Sequence, residues 1–146
     1  NIYNTQPGAG VAVFGFNIDR QAYNHTSKTS DDQKSSTKKA ILNKNFRQAI
    51  TFALNRENYS AQVNGKEFAK PAIRNTYVAP AFVQVDGKDF GNVVADKLTT
   101  YGDQWKGINL ADGQDGLYNK DKAKAQLEKA KAQFILTFLL FKMQQV

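Results

Sequence analysis

Chemistry needs particular side chains at particular spacings, and this sequence offers few. Gly8-Ala-Gly10 supplies two glycines of a dinucleotide fingerprint, but Val13 stands in the third place. The run also precedes a strand pattern instead of following one. No GxxxxGK(S/T) phosphate loop occurs, and no serine sits in a GxSxG elbow. Asp86 and Asp89 could share acid–base work, yet a Gly-containing turn holds both, which favours solvated turn carboxylates. Asp112-Gly-Gln-Asp115-Gly has the texture of a calcium loop but lacks the glutamate at the twelfth position of an EF-hand, so it reads as a turn cluster. His25, the one histidine, lies in a polar stretch and is expected to be solvated. The absence of cysteine excludes thiol nucleophiles, disulfides and Cys-based zinc sites. The expectation is a non-catalytic protein with no cofactor.

The 146 residues are 41% hydrophobic and 23% charged, an ordinary composition for about one domain with a modest core. The net charge of +7 is unevenly spread. Residues 20–74 carry eleven basic and four acidic side chains, residues 75–119 three and six, and residues 120–146 six and two. Much of the excess sits in a polar stretch (Lys28, Lys34, Lys38, Lys39) and in a lysine-rich segment from Lys120 to Lys131. Acids lie between the strongest clusters, so solvated surface is expected and nucleic acid is not. No apolar run reaches the roughly 18 residues of a membrane span. The chain starts at Asn1 with no signal peptide, which suggests an excised piece and is compatible with an extracellular origin.

The elements follow from periodicity. Residues 10–19 alternate Ala12, Phe14, Phe16 and Ile18 with Val11, Val13, Gly15 and Asn17, and predict a buried strand. Residues 25–39 are rich in Ser, Thr, Lys and Asp and read as a surface loop. Phe46, Ala49, Ile50, Ala53 and Leu54 form one apolar stripe, predicting a helix over 43–62 that packs on the sheet containing 10–18. Asn43 is placed to cap it and Gly65 to stop it. Pro71 and Pro80 favour extended loop, and 92–101 is a short helical candidate. Residues 120–133 are strong helix formers capped by Asn119 or Asp121. Then Phe134-Ile-Leu-Thr-Phe-Leu-Leu-Phe141 turns almost wholly apolar.

Three segments, in order, resemble a known family. Phe14-Gly-Phe-Asn17 resembles the end of its strand. The helix matching at Phe46, Arg47, Ala49, Ala53, Leu54, Asn55 and Arg56 resembles its arginine–alanine helix, followed by a loop resembling Pro71 and Ala79-Pro80. The segment from Asn119 to Lys131 resembles its lysine–alanine helix. The family is that of the substrate-binding proteins of oligopeptide ABC transporters, the streptococcal oligopeptide-binding lipoproteins above all. The likeness covers residues 10–133 but only a fraction of a family member. It implies an α+β fold, one partial lobe (1–133) of a bilobal periplasmic-binding-protein-like fold with a mixed sheet and packed helices. It further implies oligopeptide capture without covalent chemistry, an ABC permease as partner, and an extracellular, cell-surface location. The lipid anchor of the full-length family is expected to be absent from this chain.

The resemblance implies a peptide held through its backbone. The positions that match are Phe14, Gly15, Phe16 and Asn17 at the cleft strand, and Gln62 and Asn64 after the helix. Gly15 would permit close backbone approach, and Asn17 offers both a donor and an acceptor. Residues 134–146 form an apolar tail outside the family pattern. They are expected to dock as a buried element or to pair two chains into a homodimer. The alternative reading, from the +7 charge and aromatics such as Tyr23, Tyr59 and Trp105, is a small basic module for nucleic acid or anionic surfaces.

Overall fold

The computed structural model describes residues 13–73, 75–78, 82–108, 110 and 116–143, the last eight by their backbone. They fall into two units, Val13 with Leu54–Tyr118 and Phe14–Ala53 with the chain from Asn119 onward.

The second of these is helical. Helix α1 (Asp31–Leu42) occupies most of the stretch expected as loop. Its start explains why a polar sequence folds here. The Ser30 hydroxyl accepts from the Gln33 N–H at 3.2 Å, and the Gln33 amide oxygen accepts in return from the N–H groups of Thr29 and Ser30. Asp31 and Asp32 in the first turn and Lys39 in the last complement the helix dipole. Local capping thus holds a helix none of whose residues is buried.

Asn43 joins α1 to α2 (Lys44–Ala53). Its N–H donates to the Lys39 and Ala40 carbonyls, closing α1, and its Oδ1 accepts from the Phe46 N–H at 2.9 Å, opening α2. Arg47 donates to the carbonyls of Ile41 and Leu42, which the end of α1 leaves without helical partners. The buried face of α2 is Gln48, Ala49 and Phe52. Ile50, on the expected stripe, is 40% exposed, and Leu54 is exposed as well. The cause is the partner. α2 packs on α5 (Lys120–Met143), whose buried Ala123, Gln126 and Ala130 follow helical spacing. Residues 13–17 form no strand for α2 to lie against, and residues 10–12 of the expected strand fall outside the described residues.

α5 begins where Asn119 accepts from the Lys122 N–H at 2.8 Å, as expected for a cap. The Asn119 N–H donates to the Phe52 carbonyl at 2.8 Å, so the end of α2 meets the start of α5. At the other end Asn43 and Asn45 both donate to the Gln133 amide oxygen, at 2.8 and 3.1 Å. The two helices therefore run antiparallel, and α5 continues as helix past this clasp through the apolar run.

The other unit opens with α3 (Arg56–Asn64). One helix over 43–62 is thus two. Asn55 breaks it, in extended conformation, with its Oδ1 accepting from the Asn58 N–H at 2.8 Å. Gly65, at φ +84°, ends α3 as expected. A 3₁₀ turn at Lys66–Phe68 follows, with Ala69 and Ile73 buried beyond it. Arg56 donates to the Asn75 side-chain oxygen at 2.6 Å, tying the start of α3 to that segment.

Strands β1 (Gln84–Val85) and β2 (Lys88–Asp89) form an antiparallel hairpin with Gln84 opposite Asp89. Its turn places Asp86 and Gly87 at positive φ, the geometry a two-residue hairpin loop demands. Asp89 then caps α4 (Phe90–Thr99) by accepting from the Gly91 N–H at 2.8 Å. A second 3₁₀ turn covers Asp103–Trp105. Among the described residues the fold is helix-rich α+β with one two-stranded antiparallel sheet. The mixed sheet expected at sequence level has no counterpart among them.

Candidate functional site

The segment from Phe14 to Tyr23 is irregular, and side chains set its course. Asn17 Oδ1 accepts from the Asp19 N–H at 3.2 Å, closing a local turn. Arg20 Nε donates to the Ala22 carbonyl at 2.8 Å, and its guanidinium lies 4.8 Å from the centre of the Tyr23 ring. The Tyr23 hydroxyl donates to the Lys34 carbonyl at 3.2 Å, fastening the segment to α1. The Tyr23 carbonyl accepts from both the N–H and the hydroxyl of Thr26.

This fastening leaves a pocket of about 270 Å³. Gly15, Phe16, Asn17 and Tyr23 line one wall; Thr37 and Ile41 of α1 stand on the other, with Lys38 contributing a cation. Three of the residues expected to face a peptide are thus brought together. Phe14 is 75% exposed and lies outside the lining. Among the described residues a Cβ placed on Gly15 meets nothing within 4 Å, so none of their backbone crowds it.

Gln62 and Asn64 lie on α3, in the other unit. Both are exposed, and Asn64 donates to the Ser60 hydroxyl at 3.1 Å. Two residues apart on a helix, they project about 200° from one another, so they form no joint site on α3 itself. A wider groove of about 530 Å³ runs between the β1–β2 hairpin and α4, where Lys88 pairs with Asp96.

The expected non-sites find structural roles. Asp86 occupies the hairpin turn and Asp89 the cap of α4. His25 is exposed beside Asn24, at 3.2 Å. Asp112 and Asp115 lie outside the described residues. Among the described residues no group of three or more His, Cys, Asp or Glu is placed to hold a metal ion. One titration stands out: Asp103 raises the exposed Lys106 ammonium above its ordinary 10.5, first by a hydrogen bond and then by charge.

Sequence reasoning missed Tyr23, Arg20 and the α1 wall. The signal available was the Ser30-x-x-Gln33 capping box, which announces a helix opposite the Phe14–Asn17 segment.

No protein-family model matches the chain. Curated relatives do. The oligopeptide-binding protein AmiA of Streptococcus pneumoniae serotype 4 is 63% identical over 131 residues. The oligopeptide-binding protein SarA of Streptococcus gordonii is 59% identical over 131 residues, and AliA of Streptococcus pneumoniae serotype 4 is 58% identical over 132. Each match covers 90% of this chain and 20% of the relative, so the chain spans about a fifth of the length of the curated relatives it matches. The chain is similar to a segment of streptococcal oligopeptide-binding proteins, as the three motifs implied. The reading as a basic nucleic-acid module gains no support from these relatives.

Proposed function

We propose that the chain serves oligopeptide capture, as part of the substrate-binding component of an ABC peptide importer acting at the extracellular face. The identity of 55–63% to oligopeptide-binding proteins across 90% of the chain carries this reading. In it the residues belong to one lobe of a bilobal binding protein and do no covalent chemistry.

The pocket beside Gly15–Asn17 supplies a physical basis. Its volume, about 270 Å³, lies just below the usual range for small-ligand sites, so it takes one part of a peptide and not the whole. Open space at Gly15 admits a peptide backbone, and the Asn17 amide can both donate to it and accept from it. The Tyr23 bond to α1, with Arg20 stacked on the Tyr23 ring, holds this wall in place before the ligand arrives, which reduces the ordering cost of binding. Phe14, Gln62 and Asn64 are the further residues assigned to peptide contact.

The test replaces the matched segment of AmiA with this chain and measures oligopeptide affinity by calorimetry. The expected result is retained binding. Gly15→Val should then weaken binding about tenfold without unfolding the protein, because the added side chain fills open space that the peptide needs. A folded chimera that binds no peptide refutes the reading, and unchanged affinity in Gly15→Val removes Gly15 from the site.

A further inference from the structure

The pocket beside Gly15–Asn17 carries a charge that contact with a peptide backbone does not use. Arg20 and Lys38 both line it, and among the described residues no carboxylate does. Arg20 comes from the irregular segment and Lys38 from α1, so two separate elements each bring a cation to one cavity.

Neither cation meets a carboxylate among the described residues. The Arg20 Nε donates to the Ala22 carbonyl at 2.8 Å, and the guanidinium lies 4.8 Å from the centre of the Tyr23 ring. Those two contacts fix the direction of the side chain and leave its terminal nitrogens as donors. The adjacent acid, Asp19, is outside the lining, and its carboxylate already accepts from the Gln21 amide at 2.6 Å. On α1 the places three and four residues from Lys38 hold Lys34, Ser35, Ile41 and Leu42, none of them acidic. Lys34, one turn earlier, differs: Asp31 pairs with it at 3.1 Å.

Phe16, Ile18 and Ile41 give the same cavity an apolar surface. Such a surface displaces water and strengthens the attraction between a cation and an entering anion. A guanidinium fork takes a planar carboxylate through two parallel hydrogen bonds, and the apolar lining suits the short carbon stem that carries it. A volume of about 270 Å³ admits one side chain or one chain end.

We propose that this pocket takes a carboxylate of the bound oligopeptide and that Arg20 and Lys38 select it. The inference rests on peptide capture as proposed above and adds the class of peptide, one that presents an acidic side chain or a free C-terminus to the pocket.

The test uses the AmiA chimera carrying this chain, calorimetry, and octapeptides of alternating alanine and serine. One arm compares the free C-terminus with the C-terminal amide. The other compares amides in which glutamate replaces each residue in turn with the matching glutamine peptides. A preference of about tenfold for the free acid assigns the pocket to the chain end, and the same preference for one glutamate peptide assigns it to a side chain. Either preference should shrink as salt rises. Arg20→Gln combined with Lys38→Gln should bring the ratio to about one. Lys38→Gln alone, at an exposed position, should lower it about threefold, and Lys38→Arg should retain it. Equal binding of charged and uncharged peptides in both arms overturns the proposal and leaves peptide capture standing. So does a preference that survives the double substitution, or a double substitution that weakens charged and uncharged peptides alike, which would give the two cations a structural role. A folded chimera that binds none of the peptides refutes peptide capture, and this proposal with it.

Discussion

Phe52→Ala tests the α2–α5 interface where the end of α2 meets the start of α5. The Phe52 side chain is 0% exposed, and it is the largest side chain so fully enclosed among the described residues. Removing a ring from such a site loses its transfer free energy and leaves a cavity between packed helices. That combination costs about 3–5 kcal/mol. The Lys122 ammonium, 5.8 Å from the ring centre, adds about 0.5–1 kcal/mol of cation–π attraction that the alanine also forfeits. Ile50 sits two residues away on the same helix but is 40% exposed, so Ile50→Ala should cost only about 1–2 kcal/mol. The assay is urea unfolding followed by circular dichroism at 222 nm, with both variants compared in one buffer. The expected difference between them is about 2 kcal/mol or more. That is a large share of the roughly 5–15 kcal/mol that stabilises a typical domain. An Ile50→Ala variant as destabilised as Phe52→Ala would refute the assignment of the buried face of α2 and restore the stripe that the sequence suggests.

Ser30→Ala removes the acceptor of the α1 capping box and should cost about 0.5–2 kcal/mol, seen as faster amide exchange in the first turn of α1. Gly65→Ala forces a Cβ onto φ +84°, ψ 156° and should cost about 1–3 kcal/mol; space is open there, so a neutral result would mean that the backbone adopts another conformation. Gln126→Leu should stabilise by about 1 kcal/mol, because the Gln126 amide oxygen is buried without a hydrogen-bond partner; a loss of stability on thermal denaturation would show that the amide is needed. Lys106 has its pKa raised by the Asp103 carboxylate 2.7 Å away. A raised folded-state value favours folding below the ordinary 10.5, and that contribution fades as pH climbs through the higher folded value. Asp103→Asn should return Lys106 to its ordinary titration by NMR and abolish the fading.

Much of the helical content was legible because it is locally encoded. The Lys-Ala segment from Lys120 is rich in strong helix formers, and Asn119 caps it as its type suggests. Asn43 and Gly65 likewise act where their chemistry placed them. The α1 helix was lost because composition outweighed capping: its residues bury nothing, so no apolar stripe announces it. The break at Asn55 was lost because Leu54 continues the stripe past the point where an asparagine cap restarts the helix. Residues 13–19 of the expected strand are irregular, since alternation records which sides are apolar and says nothing of whether a neighbouring strand exists to complete a ladder. Part of the candidate site was legible for a different reason. Gly15, Phe16 and Asn17 line a pocket, but its opposite wall is a helix whose existence depended on the missed cap.

The clasp between α2 and α5 also imposes an order on synthesis. Phe52 and Asn119 bond across about 65 residues of intervening chain, and closing such a loop costs roughly 4 kcal/mol of chain entropy before any packing returns it. A ribosome adding about 5–20 residues per second needs roughly 3–13 s to deliver α5 after α2. The intervening residues, Leu54–Tyr118, make their own contacts within that interval. The unit built from Leu54–Tyr118 can therefore be finished first, while Ala49 and Phe52 of the nascent α2 stay uncovered. In that window a chaperone or a protease meets the apolar face that α5 will hide.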